Sequence, residues 1–351
     1  MIHVTIYRSG MPSPFVLARS APAPRQKRTR SILAVLAFAL SLSTESALGQ
    51  DYPVRPVTIV VPYVAGGPTD VLARNLGAAL SPALKQQIIV ENYGGAGGTI
   101  GTARVARAQP DGYTMLLMHI GIATAPALYR KLPYDTVNDF EPIGRVADVP
   151  MALIARPTFP APGFREFLDY IKAHKQSLSL AHAGVGSSSH LCGLMFMSVI
   201  ATDITTVPYK GNAPAMTDLL GGQVDLMCDQ TTNTTEQIKA AKVKAYGATS
   251  LTRIPSLPEL PTLDEQGLKG FEVIAWYGLW VPKGTPKPII DKIHGALRAA
   301  VQDQGFGARM HELGAVPASL EQATPEALRT FLKSEIDRWG PVIKAAGVYA
   351  D

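Results

Sequence analysis

The chain has 351 residues, with 33 Lys and Arg against 28 Asp and Glu, a formal charge of +5. Six of the basic residues and one of the acidic ones precede Gln50, so the remainder carries 27 of each and is formally neutral. A neutral chain of about 300 residues excludes a nucleic-acid or anionic-membrane binder built on a basic surface, and it is long enough for two cores.

Arg25, Lys27, Arg28 and Arg30 precede the apolar run 31–43, and Ala47-Leu48-Gly49 follows with small residues where a signal peptidase reads. A basic stretch, an apolar run of about 7–15 residues and a small-x-small site together describe an export signal. The run is shorter than the roughly 20 residues that span a bilayer. The expectation is export to the periplasm with residues 1–49 removed. A short anchor or tail is the competing reading, and Met11 is an alternative start.

From Val57 onward short apolar runs alternate with helix-like segments, the pattern of α/β folds with largely parallel sheets. VTIVVP at 57–62 predicts a buried strand, followed by a helix over 69–80, a strand over 87–91, a glycine loop and helix to Ala108, and a strand over 114–119. A strand-rich passage fills 140–156. The second series reads helix 163–174, strand 178–183, helix 189–200, strand 205–209, helix 213–220, then strands 224–229 and 243–248. Prolines break the alternation at 254–262, a long apolar strand covers 271–281, and helices 287–301 and 325–346 close the chain. Thr324 can cap the last helix, Pro325 suits its first position, and Glu326 favours its positive end. Two βα series with two long strand passages predict lobes at 50–152 with 275–351 and at 153–274, joined by two crossing strands.

The only cysteines are Cys192 and Cys228. Export permits a disulfide. Both lie in apolar stretches, however, and buried thiols acting as small hydrophobes are the simpler reading, which their separation decides.

In open α/β sheets the ligand crevice lies beyond the carboxyl ends of the strands, where helix-start N–H groups suit anions. The first such loop is Tyr63-Val64-Ala65-Gly66-Gly67-Pro68-Thr69-Asp70. Gly66 and Gly67 let the backbone approach a ligand, Thr69 offers a hydroxyl, and Asp70 can reach back to the helix start as a cap. The second is Gly184-Val185-Gly186-Ser187-Ser188-Ser189, where small residues leave the backbone open and three hydroxyls can donate to a carboxylate. Its bland counterpart is a serine-rich helix cap. Weaker candidates are His119, Lys210 and Asp229. A lone lysine is usually a solvated charge. Asp229 suits either an ammonium group or a turn.

Much chemistry is missing. Gly94-Gly95-Ala96-Gly97-Gly98-Thr99-Ile100-Gly101 breaks the dinucleotide fingerprint at Ile100, and reads instead as a loop that packs a helix and shapes a cleft. No phosphate-binding loop, H-E-x-x-H, paired C-x-x-C or G-x-S-x-G is present, and His182 with His190 fits no zinc spacing. The expectation is therefore no enzyme, no metal and no cofactor. Ser188 beside His190 keeps a remote serine-hydrolase alternative open.

The stretches VPYVAGGPTDVLAR (61–74), VENYGGAGGTIGTARVARAQPDGYT (90–114), YDTVNDFEPIG (134–144), VPYKGNAPAMTDLLGGQVDLMCD (207–229) and WVPKGTPKPIIDKI (280–293) carry a resemblance. They resemble the Bug family, extracytoplasmic receptors of tripartite tricarboxylate transporters, across essentially all of 52–351. HIGIATAPALYRKLPY (119–134), SSHLCGLMFMS (188–198) and DLMCDQTTNTT (225–235) look most like its aspartate-binding member. The resemblance implies a periplasmic binding protein-like α/β fold, two hinged lobes each with a mostly parallel sheet flanked by helices. It implies a monomer that grips a carboxylate with loop backbone and ordered water, from 63–70 in one lobe and 184–189 in the other. Aspartate or a related C4 dicarboxylate is the expected ligand. Integral membrane permease subunits are the expected partners, with presentation to a sensor kinase as the alternative.

Overall fold

Four of the five residues of β1 (Val57–Val61) are buried, and its β-branched run seeds a parallel trio with β2 (Ile88–Asn92) and β3 (Thr114–His119). The computed structural model describes residues 52–347, 349 and 350, so the segment read as an export signal lies outside the described residues. Between β1 and β2 runs α1 (Pro68–Leu84), which buries Leu72, Leu76, Leu80 and Leu84 at four-residue spacing and closes on Lys85 in the left-handed region. A single turn at Ala96–Gly98 leads into α2 (Thr99–Ala106), and α3 (Gly121–Leu128) follows β3.

The passage expected to be rich in strand is one strand, β4 (Phe140–Ala155), of 16 residues and nearly all buried. Extended chain of that length reaches about 50 Å, enough to thread two sheets. Its first two thirds pair antiparallel with β9 (Ile274–Pro282), which also lies antiparallel to β3. From Met151 it enters a second sheet between β7 (Leu226–Gln230) and β8 (Lys244–Ala248). β7 continues in parallel to β5 (Ser179–His182) and β6 (Thr205–Pro208). The second sheet carries α4 (Phe164–His174), α5 (Ser188–Val199), α6 (Asn212–Leu220) and α7 (Thr231–Lys239). The chain then adds α8 (Lys287–Gln302), α9 (Gln304–Glu312), the short β10 (Val316–Pro317) against β4, and α10 (Pro325–Ala346).

Each lobe has its own core. One gathers apolar residues between Val57 and Val149 and between Ala275 and Ile343; those of the other lobe lie on the two faces of the second sheet. Leu191 of α5 is the exception, buried in the first core. Thr249 ties the two crossings together. Its hydroxyl accepts the Met151 N–H at 2.9 Å and donates to the Val273 carbonyl at 2.6 Å. That bonding explains why β9 begins at Ile274 rather than at Phe271.

Cys192 of α5 and Cys228 of β7 are joined by a disulfide, with Cα atoms 6.0 Å apart. The buried-thiol reading is therefore corrected. The apolar surroundings that suggested it are real, but α5 packs on β7 closely enough for a bond.

Candidate interlobe binding site

The two predicted loops lie on opposite lobes, the first against Asn212 and Ala213 and the second against Gly97 and Leu128. Gly67 is the N-cap of α1 with no capping side chain, so the first-turn N–H groups there are not taken by a cap. Burial alone would raise the Asp70 carboxyl, but hydrogen bonds from Arg74, Gly66 and Asn92 outweigh it and hold the group below its ordinary value. Asp70 accepts the Gly66 N–H at 3.0 Å and two Arg74 bonds at 2.9 and 3.0 Å, so it braces the loop. Ala65 and Gly66 are exposed at the rim, and Gly67 is buried. Across the gap, Gly66 and Gly67 face Asn212 and Ala213 at the start of α6.

In the second loop the three serines divide their work. Ser187 caps α5 by accepting the His190 N–H at 3.2 Å, and its hydroxyl lies 3.0 Å from that of Ser189. Ser189 accepts the Ala183 N–H at 2.9 Å. Those two hydroxyls shape the loop. Ser188 instead receives the Gln230 amide at 3.0 Å, and the Gln230 carbonyl accepts the Tyr277 hydroxyl at 2.7 Å. Tyr277 Oη lies 3.0 Å from Thr69 Oγ1. A continuous chain of hydrogen bonds, Thr69–Tyr277–Gln230–Ser188, thus runs between the N-termini of α1 and α5. All four side chains are buried.

His119 lies against Tyr277, stacked on Tyr63 at 4.9 Å and edge-on to Tyr277 at 5.6 Å. Burial pushes its imidazole down to about 3, so it is neutral, and Nδ1 accepts the Gly121 N–H. Tyr63 donates to the Gly97 carbonyl at 2.8 Å. Asp229 is fully buried beside this chain and surrounded by uncharged donors: Asn212, Asn233 and the Gln230 N–H. Burial raises its carboxyl to about 7, against the opposing pull of those three bonds.

Nearer the surface a pocket of about 290 Å³ opens between Gly95–Gly97 with Tyr129 on one side and Ala183–Val185 with Lys210 on the other. Gly184 lines it. Lys210 is exposed at its edge. Gly186, with φ +85°, lies behind the loop against Leu128. Gly97 has φ +60°, and a Cβ there would stand 1.9 Å from the Val185 carbonyl oxygen of the other lobe. Only glycine permits that approach.

The structure therefore buries Tyr63, Thr69, His119, Ser188 and Asp229 in or beside the hydrogen-bonded chain, and lines the separate pocket with Gly184 and Lys210. Ser187, Ser189 and Asp70 brace. Reading the sequence missed Tyr277, which lies in an apolar strand, and singled out Asp229 but not the neighbouring Gln230 that carries the chain. His190 accepts the Gly186 N–H through Nδ1 and makes no bond to Ser188. Among the described residues no group of His, Cys, Asp and Glu is arranged to hold a metal, and no helix is long and apolar enough to cross a membrane.

Two α/β lobes joined by two crossing strands, with helix starts of both lobes at their junction, define a solute-binding protein of the periplasmic type. The chain belongs to the family described as tripartite tricarboxylate transporter family receptor (TctC), which it matches over residues 72–348. It is 55% identical to the periplasmic binding protein BugD, with TM-score 0.83, 85% of this chain and 99% of that one covered. It is 42% identical to MatC of Rhodopseudomonas palustris, solved with malate, with TM-score 0.80 and coverage of 83% and 100%. An Agrobacterium vitis protein of the TAR-I ttuE-ttuC' intergenic region is 47% identical, covering 90% of this chain and 91% of its own length.

Proposed function

We propose that this chain is an exported receptor that closes 50–152 with 275–351 over 153–274 around a small dicarboxylate in the periplasm. It then delivers that acid to integral membrane permease subunits, without catalysis. The observation that carries the reading is the meeting of the uncapped start of α1 with neutral hydroxyl and amide groups of both lobes in one buried chain of hydrogen bonds. Each hydrogen bond to a charged group contributes about 1.5–3 kcal/mol, and a micromolar complex needs about 8 kcal/mol, so several such bonds suffice without a buried cation. The malate bound by MatC supports an acid of four carbons. Aspartate is favoured over malate here because Asp229 has only neutral partners, and a ligand ammonium would supply the absent positive charge.

Mass spectrometry of small molecules released from freshly purified protein is expected to find aspartate or a related C4 acid. The same acid should raise the melting temperature, by linkage, and Gly186→Val should abolish that rise by straining the loop at φ +85°. A full thermal shift in that variant would remove the loop from the site. Release of a nucleotide instead of an acid would end the carboxylate reading.

A further inference from the structure

A second polar cavity, of about 220 Å³, lies in the first lobe where both crossing strands leave it. Its walls come from three elements. Arg145 and Asp148 stand on β4 and Glu272 and Trp276 on or just before β9, while Glu335 and Arg338 project from α10. Asp148 pairs with Trp276 and Pro150 with Ile274, so the cavity lies within the last pairs before the crossing.

Two of these charges are nine-tenths buried. Glu335, 4% exposed, accepts Trp276 Nε1 at 2.8 Å, Trp339 Nε1 at 3.1 Å and Arg338 at 3.4 Å, so its position is fixed. Arg145, 8% exposed, bonds Asp148 and lies 4.2 Å over the Phe331 ring, yet its Nε has no partner. A buried donor left open costs about 1–3 kcal/mol, which turning the guanidinium onto a ligand oxygen would recover. Glu272, half-buried in the same lining, makes neither a hydrogen bond nor an ion pair among the described residues. The Arg145 guanidinium, with one donor unpartnered, and an unpaired carboxylate therefore line one small cavity with indole and phenyl walls.

We propose that this cavity binds a small zwitterion of neutral α-amino-acid type, with its carboxylate at Arg145, its ammonium at Glu272 and an apolar side chain against Trp276 and Trp339. Drug-sized pockets occupy about 300–1,000 Å³, so a smaller cavity suits a ligand of this size. The site is separate from the interlobe cleft, and its ligand need not be the transported solute.

The test is a titration of the mature chain with L-leucine, followed through the indole N–H resonances of its three tryptophans. Trp276 and Trp339 should shift saturably, because both donate to Glu335 beside the cavity. Glu272→Gln, a substitution of an unpaired side chain that leaves the fold alone, should weaken leucine about tenfold or more. The carboxylate-only analogue 4-methylpentanoate and the amine-only analogue isoamylamine should fail at the same concentrations. Absence of a saturable shift up to about 10 mM overturns the proposal, since that lies well beyond weak millimolar binding. So does an unchanged response in Glu272→Gln, or equal binding of either analogue. Loss of the response in Ser188→Ala would assign leucine to the cleft, and would likewise overturn it.

Discussion

Asp229 is a carboxyl held among Asn212, Asn233 and a backbone N–H, with no cation among its partners. Its elevation from 3.8 to about 7 means that the fold prefers the protonated form. The stabilisation is therefore complete below the unfolded value, falls as pH rises from about 4, and is gone by about 7. Asp229→Asn imitates the protonated group. It should gain about 2 kcal/mol over wild type between pH 4 and pH 8 in urea unfolding, within a ceiling of about 4 kcal/mol. A difference that stays flat across that range would contradict the assigned burial. The same substitution should weaken an amino dicarboxylate more than malate at pH 8, where the wild-type group is ionised.

At the scale of elements, the disulfide between α5 and β7 closes a loop of 36 residues. The chain-entropy account assigns such a closure about 3–4 kcal/mol. Replacing both cysteines with alanine should cost about that much, and should leave the Ser187 cap and the cleft affinity in place. A variant as stable as wild type would show the bond to be structurally idle. The starts of α1 and α5 were legible in the sequence because Gly-Gly-Pro-Thr-Asp and Gly-Ser-Ser-Ser have a local mechanism, in caps and tight turns. The helix α7 was not. Its Thr-Thr-Asn-Thr-Thr start is poor in helix formers, and what sustains it is tertiary: Thr231 and Thr235 donate to the Gly314 and Leu313 carbonyls of the other lobe, each at 3.0 Å. The helix α3 also escaped, being buried nearly all round and so lacking a polar face to set its period. For β4, length and apolarity were visible, but alternation cannot say which strands will lie beside it. Tyr277 was hidden for the same reason: its hydroxyl matters only once β9 lies between α1 and β7.

For the whole molecule, the central claim is that neutral donors of two lobes meet only when the lobes close. A Cβ on Gly97 would stand 1.9 Å from the Val185 carbonyl oxygen of the other lobe and 2.8 Å from the Tyr129 hydroxyl of its own, so a side chain there opposes closure. Gly97→Val should therefore fold, since left-handed backbone costs about 1–2 kcal/mol, yet remain open. Acid should weaken the wild-type cleft as well. Burial, with the neighbouring His182, lowers His190 to about 3, so the stability of that loop is present above about 6.5 and lost as pH falls through about 3. The most direct measurement is solution X-ray scattering of residues 50–351 with and without saturating dicarboxylate, beside Gly97→Val. Wild type should contract on binding toward the ~19 Å radius of gyration expected of a compact chain of about 300 residues, while the variant stays larger and does not respond. Tight binding without contraction, or a variant that contracts as wild type does, would contradict the account.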